Sequence, residues 1–128
     1  MSQKPVAQKL QIKENSKFLL INEPQNYRSA LGKLPQNTVI ASEPSAKPFD
    51  VIQLFVTSKK DLQEQLPKMK PLLSKKGLLW VTYPKGTSKA KADVNRDSIR
   101  EFSSTIGLQT VALVAVDETW SAIRLKIT

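Results

Sequence analysis

Apolar residues in this chain fall into short blocks set off by proline, glycine, asparagine and serine. Lys17-Phe18-Leu19-Leu20-Ile21-Asn22 is a continuous apolar run with polar ends, the pattern of a strand buried on both faces. Pro24 closes it. Tyr27 to Leu34 predicts a short helix with Tyr27, Ala30, Leu31 and Leu34 on one face. Pro35-Gln36-Asn37 breaks that helix, Thr38-Val39-Ile40-Ala41 reads as a second short strand, and Ser42 to Pro48, with two prolines, reads as a loop.

Phe49 to Val56 is the best strand candidate, long and rich in β-branched residues. Thr57 or Ser58 is placed to cap the next helix, expected over about 60–74 with Leu62, Leu66, Met69 and Leu73 on its apolar face. Pro67 inside it predicts a kink or a break, with Pro71 a second irregularity. Gly77 reads as a helix stop, Leu78 to Tyr83 as a strand, and Pro84 to Lys91 as a polar connection. Asn95 is a candidate N-cap with Asp97 in the first turn; Ile99, Phe102 and Ile106 form that helix's stripe, and Gly107 ends it. Val111 to Val116 predicts another buried strand. Asp117-Glu118-Thr119-Trp120 turns the chain into Ser121 to Ile127, where Ile123, Leu125 and Ile127 alternate with Arg124 and Lys126, predicting a last antiparallel strand with one wet face.

Alternating strands and helices predict an α/β fold: a three-layer, mostly parallel twisted sheet of about six strands ending in an antiparallel hairpin. The 128 residues suffice for one domain, 1–128, that buries roughly two-thirds of its unfolded surface; residues 1–16 are expected as a flexible lead or a short helix.

Lys and Arg number 20 against 11 Asp and Glu, for a net charge of +9. Nine lysines (Lys59, Lys60, Lys68, Lys70, Lys75, Lys76, Lys85, Lys89 and Lys91) crowd residues 59–91 against only Asp61 and Glu64. Such a segment attracts an anionic ligand, nucleic acid or an acidic protein. Its plain alternative is a solvated lysine-rich face. Lysine is a point charge, whereas paired recognition of phosphate or base edges favours arginine, of which there are four. The start is polar and the apolar runs are far below the roughly 20 residues a membrane helix needs, so a cytoplasmic protein without membrane contact is expected.

There is no cysteine and no histidine. Disulfides, thiolate nucleophiles, Cys/His zinc sites, a histidine base and the Ser-His-Asp triad are thereby excluded. No catalytic residue, metal site or cofactor is assigned from the residues. Nothing in the pattern chooses between a monomer and a homodimer.

Phe49-Asp50-Val51, Leu72-Leu73, Lys76-Gly77, Gly107-Leu108 and the Trp120 hairpin fill the places of similar features in the second half of class I methyltransferases, a Rossmann-like fold. From about Ala7 to Lys126 the chain more closely resembles a family of small bacterial proteins known as a domain of unknown function. Lys9-Leu10, Ile12-Lys13, Asn22 with Pro24, Phe49-Asp50-Val51 through Leu54-Phe55-Val56-Thr57-Ser58, Trp80, Pro84-Lys85, Asp93, Val116 to Ser121, and Arg124 carry that resemblance. It implies a reduced methyltransferase-like fold and no established activity. Methyltransferases seat their cofactor against a glycine-rich turn after the first strand, where only glycine lets the backbone approach the ligand. Here the turn is Asn22-Glu23-Pro24-Gln25-Asn26, which argues against adenosylmethionine in the usual pose; Glu43, near the second strand's end, is the one acid placed to hold a ribose.

In an open parallel sheet, ligands collect beyond the carboxyl ends of the strands. Those ends would gather Asn22, Glu23, Thr57, Ser58, Tyr83, Lys85, Asp117, Glu118 and Trp120 into a polar cleft. Asp117 and Glu118 could bind a cation or an amine beside the Trp120 ring, or Asp117 could simply brace a turn, with Arg124 pairing one of the acids. Lys85 could meet an anion or act as a base, or be solvated; Ser58 and Lys59 could hold phosphate at a helix start, or Ser58 could only cap it. A non-catalytic or ligand-binding module is the leading expectation. Non-specific nucleic-acid or anion binding through 59–91 is the alternative, and an enzyme acting on a small anionic metabolite is the third.

Overall fold

The computed structural model describes residues 6–25, 27–31, 34–42, 48–85, 93–117 and 119–127. The elements run α1 (Val6–Lys9), β1 (Lys17–Ile21), α2 (Tyr27–Leu31), β2 (Val39–Ala41), β3 (Phe49–Phe55), α3 (Lys59–Met69), a 3-10 turn (Lys70–Leu72), β4 (Leu73–Pro84), α4 (Arg96–Thr105), β5 (Leu108–Ala115) and β6 (Trp120–Ile127). Among the described residues six strands form one sheet, in the order β2-β1-β3-β4-β6-β5. The first four are mutually parallel, and β6 runs antiparallel to both β4 and β5.

β3 lies centrally and is sealed on both faces, which is why its sequence is apolar throughout except at Asp50 and Gln53. On one face Leu62, Leu66 and Met69 of α3 and Ile99 of α4 pack on Ile52, Leu54, Leu79, Val81 and Ile123. On the other, Val6, Ala7, Leu10 and Ile12 join Tyr27 and Leu31 over Phe18, Leu20, Val51, Phe55 and Trp80. The early segment is thus a short helix packed into the core, and the Trp80 indole N–H donates to the Leu10 carbonyl at 3.1 Å. This is the expected three-layer α/β architecture.

Several boundaries differ from the sequence expectations for identifiable reasons. The helix expected over 60–74 ends at Met69: it runs through Pro67, then tightens into the 3-10 turn that Pro71 starts. Leu73 and Gly77 belong to β4, so Gly77 is not a helix stop. Phe49 pairs with Leu73 while Val51 pairs with Leu78, so the extra β4 residues between them bulge out. A Cβ on Gly77 would fall 2.6 Å from Leu73 Cδ1 and 3.0 Å from Ser74 Oγ, so a side chain there requires the Leu73 side chain to shift. The strand expected over 111–116 starts at Leu108 and is an edge strand, not a buried one, with Val111 and Leu113 exposed. β6 takes the interior place beside β4 instead, and Gly107 ends α4 at φ +78°.

Gln53, fully buried at the centre of β3, is the polar exception that the packing must satisfy. Its carbonyl accepts from the Tyr27 hydroxyl at 2.9 Å, and its amide donates to the Thr82 hydroxyl at 2.9 Å. Replacing Gln53 by leucine leaves both hydroxyls without that partner in a dry site, where an unmet buried polar group costs about 1–3 kcal/mol. Urea unfolding of Gln53→Leu is expected to show a loss of about 2–4 kcal/mol, part of it recovered by adding Thr82→Val. A stability equal to that of the parent would refute the role given to this thread.

Candidate functional site

Because β1 to β4 are parallel and β6 returns antiparallel, Asn22, Glu23, Thr57, Ser58, Lys85, Asp117 and Trp120 all come to one end of the sheet. The order places β2 and β3 on opposite sides of β1, so the chain reverses direction across the sheet between β1 and β3, the place where open α/β sheets form a ligand crevice. Glu118, Lys89, Lys91 and Glu43 lie outside the described residues.

The turn leaving β1 keeps a backbone shape that favours glycine, without a glycine. Asn22 takes φ +62°, in the left-handed region that asparagine tolerates through its short polar side chain. Next to it, Arg28 on α2 donates through Nε to Glu23 Oε2 at 3.3 Å and through Nη2 to Ser42 Oγ at 2.7 Å. The guanidinium therefore spans from the turn after β1 to the residue after β2.

The start of α3 is closed in the same way. Ser58 Oγ accepts from the Asp61 N–H at 3.0 Å, and the Lys59 N–H donates to Asp93 Oδ1 at 2.6 Å. Asp61 Oδ2 reaches back to accept from the Thr57 hydroxyl at 3.3 Å. The phosphate position considered at Ser58 and Lys59 is thus filled by the chain's own oxygens, with Asp93 supplying the negative charge that a helix start favours.

At the β5–β6 turn, Asp117 Oδ1 accepts from the N–H groups of Thr119 and Trp120, both at 2.8 Å. The carboxylate braces the turn, the plainer of its two sequence readings. The Lys85 N–H donates to the Thr119 carbonyl at 2.8 Å, tying the β4 exit to that turn. The half-buried Trp120 ring meets Phe55 edge-on at 5.1 Å, and Phe55 meets Tyr27 at 4.6 Å, so an aromatic ladder floors this end of the sheet. Tyr83 is buried with the α3–α4 core and does not line an open cleft. Arg124 does not pair with Asp117: the antiparallel course of β6 carries it toward the other end of the sheet, where Nη1 donates to Gln11 Oε1 at 3.5 Å.

The lysines of 59–91 are divided. Lys59, Lys60 and Lys68 lie on α3, while Lys75 and Lys76 lie at the start of β4 and Lys85 at its exit. Lys70 Nζ donates to the Ile106 carbonyl at 2.7 Å, holding the end of α4. Arg28, Ser42, Asp61 and Asp93 were missed by sequence reasoning. Asp61 was findable, since Ser58 and Asp61 have the serine–acid spacing of a helix start. The others act on residues that only the folded chain brings near.

Burial raises the pKa of both tyrosines. At Tyr27 desolvation outweighs the Gln53 hydrogen bond, and the Asp117 charge adds to it; at Tyr83 desolvation leads, opposed by Arg96 and aided by Asp97. A folded pKa above the unfolded 10.0 leaves stability unaffected below pH 10.0 and erodes it as the pH rises further, because the unfolded chain ionises first. As the chain has two tyrosines, tyrosinate absorbance in alkaline titration is expected to lag free tyrosine and to appear together with unfolding. Titration of one full tyrosine at the free value, with the fold intact, would contradict this burial.

A family model described as "Protein of unknown function (DUF3052)" matches residues 25–128. No curated protein matches by sequence. By fold, the chain is similar to a SAM-dependent methyltransferase from Aquifex aeolicus (TM-score 0.62, 13% identity, 96% of this chain and 88% of that one). A TehB-like SAM-dependent methyltransferase from Corynebacterium glutamicum is likewise similar (0.61, 12%, 99% and 90%). So is a ribosomal protein L11 methylase from Lactobacillus delbrueckii subsp. bulgaricus (0.58, 8%, 95% and 74%). At these identities the likeness is one of fold. Among the described residues no helix is long and apolar enough to cross a membrane.

Proposed function

We propose that this chain, which belongs to the family described as Protein of unknown function (DUF3052), is a non-catalytic binding module that retains a methyltransferase-like scaffold without an adenosyl site. The observation that carries this reading is the Arg28 bridge, which joins Glu23 to Ser42 across the ends of β1 and β2. In a Rossmann-like sheet, the dinucleotide or adenosyl group lies over that first turn, and an acid at the end of the second strand holds its ribose. Here Ser42, the residue after β2, is already bonded to Arg28, and Asn22 and Pro24 stand in the turn where such sheets carry glycine. A side chain at each of those positions holds a ligand away from the backbone, and proline offers no N–H to it.

An enzyme using Asp117 with Lys85 is less well supported, because the Asp117 carboxylate is engaged by two backbone N–H groups of its own turn. A carboxylate oxygen so held is turned toward the backbone of its own turn and not toward a substrate.

Isothermal titration of the purified protein with S-adenosylmethionine and with S-adenosylhomocysteine is expected to give no saturable heat at millimolar ligand. Micromolar saturable binding of either compound, or methyl transfer to any added acceptor, would overturn the reading.

A further inference from the structure

The end of the sheet opposite the site just described carries a different kind of surface. Between Phe49–Leu73 and Val51–Leu78, β4 uses more residues than β3, and the surplus projects outward with Lys75 and Lys76 exposed on it. Gly77 closes the bulge, packed against the side chains of Leu73 and Ser74. β6 runs alongside and brings Arg124 and Lys126 to the same place. The four cations line one groove of about 290 Å³. A second groove of about 330 Å³ shares Lys76 and Leu78 with it and continues to Lys13, with Glu14 and Asp50 also on its wall.

The cations of the first groove form no ion pair among the described residues, and its lining includes no acid. Among the described residues the ion pairs are Arg28–Glu23 and Arg100–Asp97, neither of them at this end. Arg124 leans on the neutral Gln11, and Lys75, Lys76 and Lys126 are exposed. The residues lining the two grooves include no aromatic ring on which a base could stack. Their large apolar side chains are Leu73, Leu78, Leu125, Ile127 and Val51, of which Ile127 is the exposed one. What remains is a track of positive charge that matches a repeated phosphate.

We propose that this groove, formed by Lys75 and Lys76 of the β4 bulge with Arg124 and Lys126 of β6, binds the phosphate backbone of nucleic acid without reading its bases. The surface does not depend on the closed adenosyl position, so either proposal can fail while the other stands. Sequence indifference follows from the chemistry: ammonium groups neutralise phosphates, and the energy comes from released counterions.

The test is fluorescence anisotropy with a labelled mixed-sequence DNA duplex. With four phosphates neutralised, affinity is expected to fall about 100-fold between 50 and 200 mM salt, and an unrelated duplex is expected to bind equally. Lys75→Gln/Lys76→Gln is expected to weaken binding and cut that fall to about tenfold, and Lys126→Gln alone to lower the salt slope by about one. Lys59→Gln/Lys60→Gln on α3 removes the same charge elsewhere and is expected to leave the slope unchanged. Thermal melts of each variant establish that it is folded. Equal losses in the two lysine pairs would reduce the effect to net charge and overturn the site, as would no binding at 50 mM salt. Displacement of the duplex by polyglutamate at equal charge would also overturn it, in favour of an acidic protein partner.

Discussion

β3 is buried on both faces, and that one constraint organises the molecule. A strand with helices above and below it cannot leave a polar group unmet, so its single interior polar side chain, Gln53, must find partners on both neighbouring elements. The Tyr27 hydroxyl reaches it from α2 and the Thr82 hydroxyl from β4. The thread therefore fixes α2 against the sheet in one position, and α2 in turn carries Arg28 to the turn after β1. Burial at the centre and closure at the rim are consecutive consequences of the same packing.

The two ends of the sheet differ in how their polar groups are used. At the carboxyl ends of the parallel strands, side chains satisfy the chain itself: Arg28 holds Glu23 and Ser42, Ser58 and Asp93 hold the start of α3, and Asp117 holds its own turn. Each such bond lowers the free energy of the closed arrangement and removes a partner that a ligand would need. At the other end a bulge and a neighbouring strand collect cations into a groove whose lining includes no acid. The likeness in fold to methyltransferases concerns the arrangement of strands and helices, and it is compatible with either end being the one that works. Function is carried by sites, and a shared scaffold does not by itself transfer one.

Much of the architecture could be read from local pattern. The apolar runs at 17–22 and 49–56, the caps Ser58 and Asn95, and the stop at Gly107 all appear in the structure, because each depends on backbone chemistry within a few residues. Errors arose where two local signals competed. Glycine at 77 reads as a helix end because glycine is common there, but it lies within β4, against the Leu73 side chain. Val111 and Leu113 looked buried because they are apolar, yet β6 rather than β5 pairs with β4, which leaves β5 at the edge. Strand order is a property of the whole chain, and no local run encodes it.

The candidate site divides along the same line. Residue types and spacing alone exclude histidine and cysteine chemistry, leave the first turn without glycine, and gather Asn22, Glu23, Ser58 and Asp117 at one end of a parallel sheet. Those conclusions need only residue types and the period of the apolar pattern. The folded chain alone sets Arg28 between Glu23 and Ser42, brings Asp93 to the start of α3, and parts the lysines of one continuous segment so that two of them join Arg124 and Lys126. Hydrogen bonds and Coulomb attraction act over a few ångströms in space, and residues distant in the chain come within that range only once the strands have taken their order.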